Sequence, residues 1–85
     1  MASYRLQIKP SAVKELEVIQ LKDRKRLVAR IRRLAKEPRP DGCDKLSGQD
    51  KNRVRQGHYR VLYSVDDSEP SVTVVKIGHR REVYR

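Results

Sequence analysis

The stretch from Lys51 to Val65 constrains the fold of this chain more than any other part of the sequence. Two runs of alternating polar and β-prone residues are separated by a glycine, which is the pattern of a β-hairpin. The sequence places the turn at Gln56-Gly57, and this pairing sets Arg53 opposite Arg60. We therefore expect two antiparallel strands at the centre of the domain.

Alternation divides this hairpin into two faces. The face that can be buried carries Val54, Tyr59, Val61, Tyr63 and Val65. The other face is cationic and carries Lys51, Arg53, Arg55, His58 and Arg60. Like charges on neighbouring strands destabilise a sheet, and broken local rules cluster at functional sites. The pattern predicts a site for an anionic ligand such as a phosphodiester, because the arginine fork matches phosphate geometry. A merely solvated basic face is the alternative.

Composition limits the size of the fold and its partners. The 85 residues fit a single domain, 1–85, and the 21 basic against 11 acidic residues give a net charge of +10. That charge indicates nucleic acid, an anionic membrane or an acidic protein as partner. No apolar run is long enough for a membrane span or a signal peptide, so we expect a cytoplasmic protein with no membrane contact. Cys43 is alone, which excludes an internal disulfide and a cysteine zinc cluster, and we expect neither metal nor cofactor.

The flanking segments supply one strand, two helices and a further strand. Tyr4 to Lys9 alternates as a strand, Ser11 is expected to cap a first helix, and Asp23 to cap a second that stops at Pro38. A loop follows, in which Lys45-Leu46 is expected to start a short strand. The sequence thus predicts an α+β, two-layer fold: an N-terminal strand, a helical hairpin, then antiparallel strands that form a small twisted sheet.

Three further expectations concern charge and pairing. The strand 71–78 should run antiparallel to the strand of Arg60, and the acids of the turn 66–70 should lie away from the cationic face. The basic side of the second helix is interpreted as solvated surface, because no aromatic or amide side chains are interleaved there to read bases. Docking of an acidic partner segment is another interpretation of that side.

The hairpin and the C-terminal segment together resemble a known family. Arg55-Gln56-Gly57-His58-Tyr59-Arg60-Val61-Leu62-Tyr63 and the ending from Val75 to Tyr84 are similar to the RelE/ParE superfamily of toxins from bacterial type II toxin–antitoxin systems. The proline-terminated second helix, Lys45-Leu46-x-Gly48 and the acidic turn resemble that family too. The resemblance covers the whole chain and is greatest to the RelE-like branch.

This resemblance implies an activity and assigns roles to five residues. RelE-like toxins cut messenger RNA in the ribosomal A site, without metal, by attack of a 2′-hydroxyl on the adjacent phosphate. Arg60 then resembles the arginine that stabilises the phosphate, and Lys51 and Arg53 resemble the basic pair that activates the 2′-hydroxyl. Arg80 resembles the residue that protonates the leaving oxygen, and Tyr84 the residue that stacks on the nucleotides. Arg53 stands where that branch often has lysine, which shifts the role of base towards Lys51.

Three more residues are candidates for RNA binding: Arg55, His79 and Arg81. His79 also has an ordinary pKa close to neutrality, which suits a general base, but binding is its first expected role. His58 is expected to be an ordinary exposed residue.

Other functions fit the same resemblance. The ParE-like branch inhibits DNA gyrase without enzymatic activity, and a basic nucleic-acid-binding domain with no activity is a third interpretation. Implied partners are a cognate antitoxin, acidic and partly disordered, together with the ribosome and messenger RNA. The complex of toxin and antitoxin is expected to bind its own operator DNA through the antitoxin.

Overall fold

The computed structural model describes residues 3–40, 43–45 and 51–79. Its elements are β1 (Arg5–Ile8), α1 (Pro10–Glu17), α2 (Leu21–Leu34), β2 (Asp44–Lys45), β3 (Lys51–Gln56), β4 (Tyr59–Asp66) and β5 (Ser71–His79). This order confirms the predicted α+β fold. In the described ranges, no helix is long and apolar enough to cross a membrane.

The strands form one mixed sheet in the order β1-β5-β4-β3-β2. β5 pairs with β4 in antiparallel fashion, as predicted, and β3 pairs with both β4 and β2 in the same way. β1 lies parallel to β5, with Leu6 opposite Val72. The central strand of the sheet is therefore β4, with β5 and β3 on either side, and the hairpin pairs through β4 with the longest strand.

Both helices start two or three residues earlier than the predicted caps. Pro10 occupies the first turn of α1 and Lys9 is its N-cap, so the prediction of Ser11 as cap is wrong. Proline suits this position because its fixed φ is already helical and its missing N–H is not needed there. The N-cap of α2 is Gln20 rather than Asp23, whose carboxylate instead lies in the first turn. That position favours a negative charge because of the helix dipole.

Both helices cover the same side of the sheet and enclose the core. The buried apolar side chains alternate along the strands and recur at helical spacing, as the sequence predicted. The helices contribute Ala12, Leu16, Leu27, Ile31 and Leu34, with Ile19 from the segment between them, and the strands contribute Val54, Val61, Tyr63, Val72, Val74 and Ile77. Alternate strand residues consequently point to the side that carries neither of these helices.

The hairpin turn differs from the prediction by one residue. Its two loop residues are Gly57 and His58, so that Gln56 pairs with Tyr59 and Arg55 pairs with Arg60. The predicted pair of Arg53 and Arg60 is therefore wrong. Gly57 has a φ of 61° and no other residue type has a positive φ among the described residues, which matches a type II′ turn with glycine first.

Two polar contacts fix the segment after α2 to the sheet. The Tyr63 hydroxyl donates a hydrogen bond to the Pro38 carbonyl at 2.6 Å and lies 3.0 Å from the Cys43 sulfur. Burial, together with the contact to the Cys43 thiol, raises the pKa of Tyr63. Farther along, the Asp67 carboxylate accepts hydrogen bonds from Arg39 and from the Tyr4 hydroxyl. Pro38 and Cys43 are thereby attached to β4, and Arg39 is attached to the turn after it.

Candidate functional site

The side of the sheet that faces away from α1 and α2, here called the open face, carries the predicted cationic residues of the hairpin. Residues paired across neighbouring strands point to the same side, so the pairing register arranges this face in rows. The arginine row is Arg55, Arg60 and Gly78; the middle row is Arg53, Leu62 and Lys76; the polar row is Lys51, Ser64, Thr73 and Gln7. Successive rows lie about 6.7 Å apart along a strand.

Arg60 is the most unusual residue of the open face. Only 4% of its surface is exposed, whereas its cross-strand neighbour Arg55 is exposed. Its other neighbour is Gly78, which has no side chain to occupy the space beside it on β5. Buried arginine is rare, so Arg60 is held in place and differs from the solvated basic residues of the surface.

Lys51 and Arg53 share the open face with Arg60, as the sequence predicted. Both are half-buried and lie on β3, two positions apart, so their side chains belong to successive rows. Arg53 pairs with Leu62 and with Asp44 of β2, and Lys51 pairs with Ser64. The strands thus hold three cations of the predicted catalytic set on one surface.

Sequence reasoning missed the residues that complete this face. Leu62 and Ser64 follow Arg60 at intervals of two on β4, and Thr73 and Lys76 continue their rows on β5. The alternation that placed Arg60 on the open face also places Leu62 and Ser64 there, so the signal was present in the sequence. Alternation alone did not place Lys76 on the open face, because the pairing register shifts between Leu62 and Tyr63.

The described carboxylates near the sheet are held by other groups. Asp66 accepts hydrogen bonds from the Ser68 hydroxyl and from the backbone N–H groups of Ser68 and Glu69, which lower its pKa. The hydrogen bond from Arg39, followed by that from Tyr4, lowers the pKa of Asp67. These contacts keep Asp66 ionised and directed at its own turn, and Asp67 ionised and directed at Arg39 and Tyr4.

One carboxylate reaches the edge of β5. Glu15 of α1 accepts a hydrogen bond from the Ile77 N–H at 3.0 Å and lies 3.6 Å from the Lys76 ammonium. β1 ends at Ile8, and no other described strand pairs with this half of β5 on that side, so Glu15 satisfies a backbone donor that the described strands leave open.

The two histidines lie together at the tip of the hairpin. His79 pairs with Tyr59, which packs against the core, and its ring contacts the Tyr59 ring edge-on with 6.0 Å between centroids. The His58 and His79 rings stack 6.1 Å apart. The register therefore places His79 on the helix side of the sheet, not beside Arg60. His58 is exposed in the turn and does not belong to the open face, although the sequence placed it there.

Arg80, Arg81 and Tyr84 of the predicted site lie outside the described residues. Their roles stay predictions. In the described part of the chain, no group of three or more His, Cys, Asp or Glu side chains has the arrangement of a metal site.

Comparison with known proteins agrees with this geometry. The family model of the ParE toxin of type II toxin–antitoxin systems matches residues 6–84. The toxin RelG of Mycobacterium tuberculosis is 42% identical over 32 residues, a stretch that spans 38% of this chain and only 37% of that relative.

Solved structures give the same result over nearly the full length. A chain of the archaeal RelE–RelB complex from Pyrococcus horikoshii is 31% identical, with a TM-score of 0.83 over 92% of this chain and 96% of that one. A chain of the Escherichia coli RelBE toxin–antitoxin complex is 26% identical, with a TM-score of 0.79 over 91% of this chain and 96% of that one. The sequence match, the sheet order and the cationic open face lead to one assignment: the chain belongs to the RelE/ParE superfamily of type II toxins.

Proposed function

We propose that this toxin is a metal-independent endoribonuclease that cuts messenger RNA in the ribosomal A site and so inhibits translation. The observation that carries the proposal is Arg60, a nearly fully buried guanidinium on an open face that also presents Arg53, Arg55 and Lys51. Likeness to chains from RelE complexes of Pyrococcus horikoshii and Escherichia coli supports it.

The proposed reaction is an internal transesterification. The 2′-oxygen attacks the adjacent phosphorus and the bond from phosphorus to the 5′-oxygen of the next nucleotide breaks. The products are a 2′,3′-cyclic phosphate and a free 5′-hydroxyl. Negative charge grows on the equatorial phosphate oxygens, and Arg60 stabilises it in place of water. Fixed charges of this kind can lower the barrier of a reaction more than any other catalytic effect.

Proton transfer is assigned to Lys51, which lies in the polar row on β3, and to Arg80. Lys51 takes the proton of the 2′-hydroxyl, because an ammonium can lose its proton whereas the guanidinium of Arg53 hardly can. Arg53 holds the RNA backbone beside it. In the proposal Arg80 supplies a proton to the leaving 5′-oxygen, which as an alkoxide is more basic than a guanidine, and Tyr84 stacks on the nucleotides at the cut.

Binding of the RNA backbone is assigned to the remaining cations. Arg55, exposed directly opposite Arg60, contacts the phosphate next to the one that is cut. Arg81 and His79 are proposed as further contacts where the chain leaves β5. For His79 this requires RNA to reach the end of the sheet, because its ring lies on the helix side against Tyr59.

The test is primer extension on a defined messenger RNA in a reconstituted translation reaction. Wild-type protein should produce cuts inside A-site codons that depend on ribosomes, and Arg60→Ala should produce them about 10²–10³ times more slowly. Arg26→Ala is the matched control, since Arg26 is exposed on α2 and far from the open face in the fold. Loss of cutting in Arg26→Ala, or ribosome-independent cutting, would contradict the proposal.

A second candidate is inhibition of DNA gyrase without enzymatic activity. It is favoured by one observation, the match of residues 6–84 to the ParE toxin family model. Gyrase incubated with supercoiled plasmid would then accumulate cleaved DNA in the presence of the toxin, and the messenger RNA would stay intact. Cutting of messenger RNA without any effect on gyrase would support the endoribonuclease and exclude gyrase inhibition.

We also propose that a cognate antitoxin neutralises the toxin, as RelB accompanies RelE in the Pyrococcus horikoshii structure. The +10 charge favours an acidic partner segment, and the helical hairpin offers it exposed apolar side chains at Val13, Val18 and Leu21. The open face is the other expected binding site of the antitoxin. The complex would act in the cytoplasm and bind its operator DNA through the antitoxin. Coexpression with the adjacent gene should restore growth.

A further inference from the structure

The polar row of the open face differs in chemistry from the arginine row. Lys51, Ser64, Thr73 and Gln7 stand side by side across four strands, and Thr73 donates a hydrogen bond to Gln7 Oε1 at 3.5 Å. Apart from Lys51, these side chains are neutral, and each both donates and accepts hydrogen bonds. The row lies about 13 Å from the arginine row, four residues along β4.

A recess adjoins this row where β4 ends and β5 begins. It has a volume of about 500 Å³ and is lined by Ser64, Thr73 and Ser71, together with residues of the helix side such as Asn52, which pairs with the buried Tyr63; Gln7 stands beside Thr73 but does not line the recess. That volume falls within the range of small-molecule sites, roughly 300–1,000 Å³, and is large enough for a nucleoside. The Ser64 hydroxyl makes no hydrogen bond to any other residue in the described ranges, so it is available to a ligand.

The charges of the recess argue against a phosphate as its occupant. Asp66 and Asp67 also line it, and both carboxylates stay ionised because hydrogen bonds stabilise their charged form. Arg39 is already paired with Asp67 at 3.0 Å. Hydroxyl and amide groups beside ionised carboxylates suit a sugar or a base edge, whereas phosphate is attracted to the arginine row.

We propose that Ser64, Thr73 and Gln7 form a ribose-binding subsite that recognises the 2′-hydroxyl of a nucleotide flanking the scissile one. This inference rests on the proposed function, since it extends the RNA track from the arginine row to the far end of β4. The 2′-hydroxyl is both donor and acceptor and is the group by which a protein distinguishes RNA from DNA. The arginine row holds the backbone of either nucleic acid; the polar row selects RNA.

The test compares binding of one single-stranded sequence as RNA and as DNA to the full chain, without ribosomes, by fluorescence anisotropy. Two hydrogen bonds of about 0.5–1.5 kcal/mol each correspond to a preference for RNA of roughly 5- to 150-fold. Ser64→Ala combined with Thr73→Val should reduce RNA affinity to that of DNA and leave DNA affinity unchanged. The Thr73→Val substitution preserves the strand, because valine is as well suited to a sheet as threonine.

Controls separate this subsite from general charge. Lys51→Ala should weaken RNA and DNA binding by the same factor, and Ser11→Ala, an exposed hydroxyl on α1, should change neither. Equal affinity of the wild type for RNA and DNA, or an unchanged ratio in the double variant, would overturn the inference. Circular dichroism checks that each variant is folded, and the two single variants replace the double one if it is not.

This experiment can refute the ribose subsite without refuting the proposed nuclease function, and the reverse is also true. Messenger RNA cutting by a wild type that does not prefer RNA would refute the subsite alone. A preference for RNA that depends on Ser64 and Thr73, in a protein that does not cut, would refute the nuclease and keep the subsite.

Discussion

Removal of one oxygen atom, in Tyr63→Phe, tests how the loop after α2 is attached to the sheet. The Tyr63 side chain is fully buried, so the phenylalanine ring keeps the apolar contacts and leaves no large cavity. The variant loses the 2.6 Å hydrogen bond to the Pro38 carbonyl and the 3.0 Å contact with Cys43. The carbonyl of Pro38 is then left without this donor.

The expected decrease in the free energy of unfolding comes mainly from the Pro38 carbonyl that loses its donor. A part-buried acceptor left without its partner costs about 1–3 kcal/mol, and the weak thiol contact adds little. We therefore expect the free energy of unfolding to fall by about 2 kcal/mol, which for a domain of this size lowers Tm by roughly 8–16 °C. Urea unfolding followed by circular dichroism gives the value, with an unchanged m-value.

Cys43→Ala is the control for this experiment, because it removes the sulfur and leaves the Pro38 hydrogen bond in place. It should cost clearly less than Tyr63→Phe. A cost of Tyr63→Phe below about 0.5 kcal/mol, the lower end for a hydrogen bond, would refute the reasoning. A cost of Cys43→Ala equal to that of Tyr63→Phe would assign the stabilisation to the thiol contact instead.

Three further perturbations test other parts of the fold. Gly57→Ala should reduce the free energy of unfolding by about 1–2 kcal/mol, measured in urea, because φ is 61° at this position; no loss would contradict the turn. Asp67→Asn should be less stable than the wild type at pH 7, and this difference should shrink as the pH falls below about 4. The pKa of Asp67 is lowered in the folded state, so its stabilisation is present above about pH 4 and is lost as the pH falls through the lowered value. A pH profile of Tm parallel to that of the wild type would refute this. Glu15→Gln should cost about 0.5 kcal/mol in the same urea assay, since the amide oxygen still accepts from Ile77 N–H but the ion pair with Lys76 is gone; a cost above 2 kcal/mol would show that the charge matters more.

The faces of the hairpin were predictable although its register was not. Moving the turn from Gln56-Gly57 to Gly57-His58 shifts each pairing by two residues, and a shift of two keeps every side chain on its own face. Val54 and Arg60 are therefore on the predicted sides, even though Arg60 pairs with Arg55 instead of Arg53. Period-two alternation determines which side of the sheet a residue faces, whereas only the turn chemistry determines the pairing register.

Local and tertiary effects together explain what the sequence prediction missed. Ser11 and Asp23 are good capping residues, but proline at position 10 and the short connection after Glu17 start the helices earlier. The parallel pairing of β1 with β5 joins residues far apart in sequence and leaves no local pattern. Burial of Arg60 likewise depends on its neighbours across the sheet, so its charge was predictable and its environment was not.

The central claim is that Arg60 stabilises the transition state of RNA cleavage, and single-turnover cutting on ribosomes programmed with one A-site codon tests it most directly. With toxin in excess over ribosomes, Arg60→Ala should cut about 10²–10³ times more slowly, the loss typical of removing one preorganised donor at a developing negative charge. Binding to the ribosome should change little, and Arg26→Ala should cut at the wild-type rate. An unchanged cleavage rate in Arg60→Ala would contradict the account.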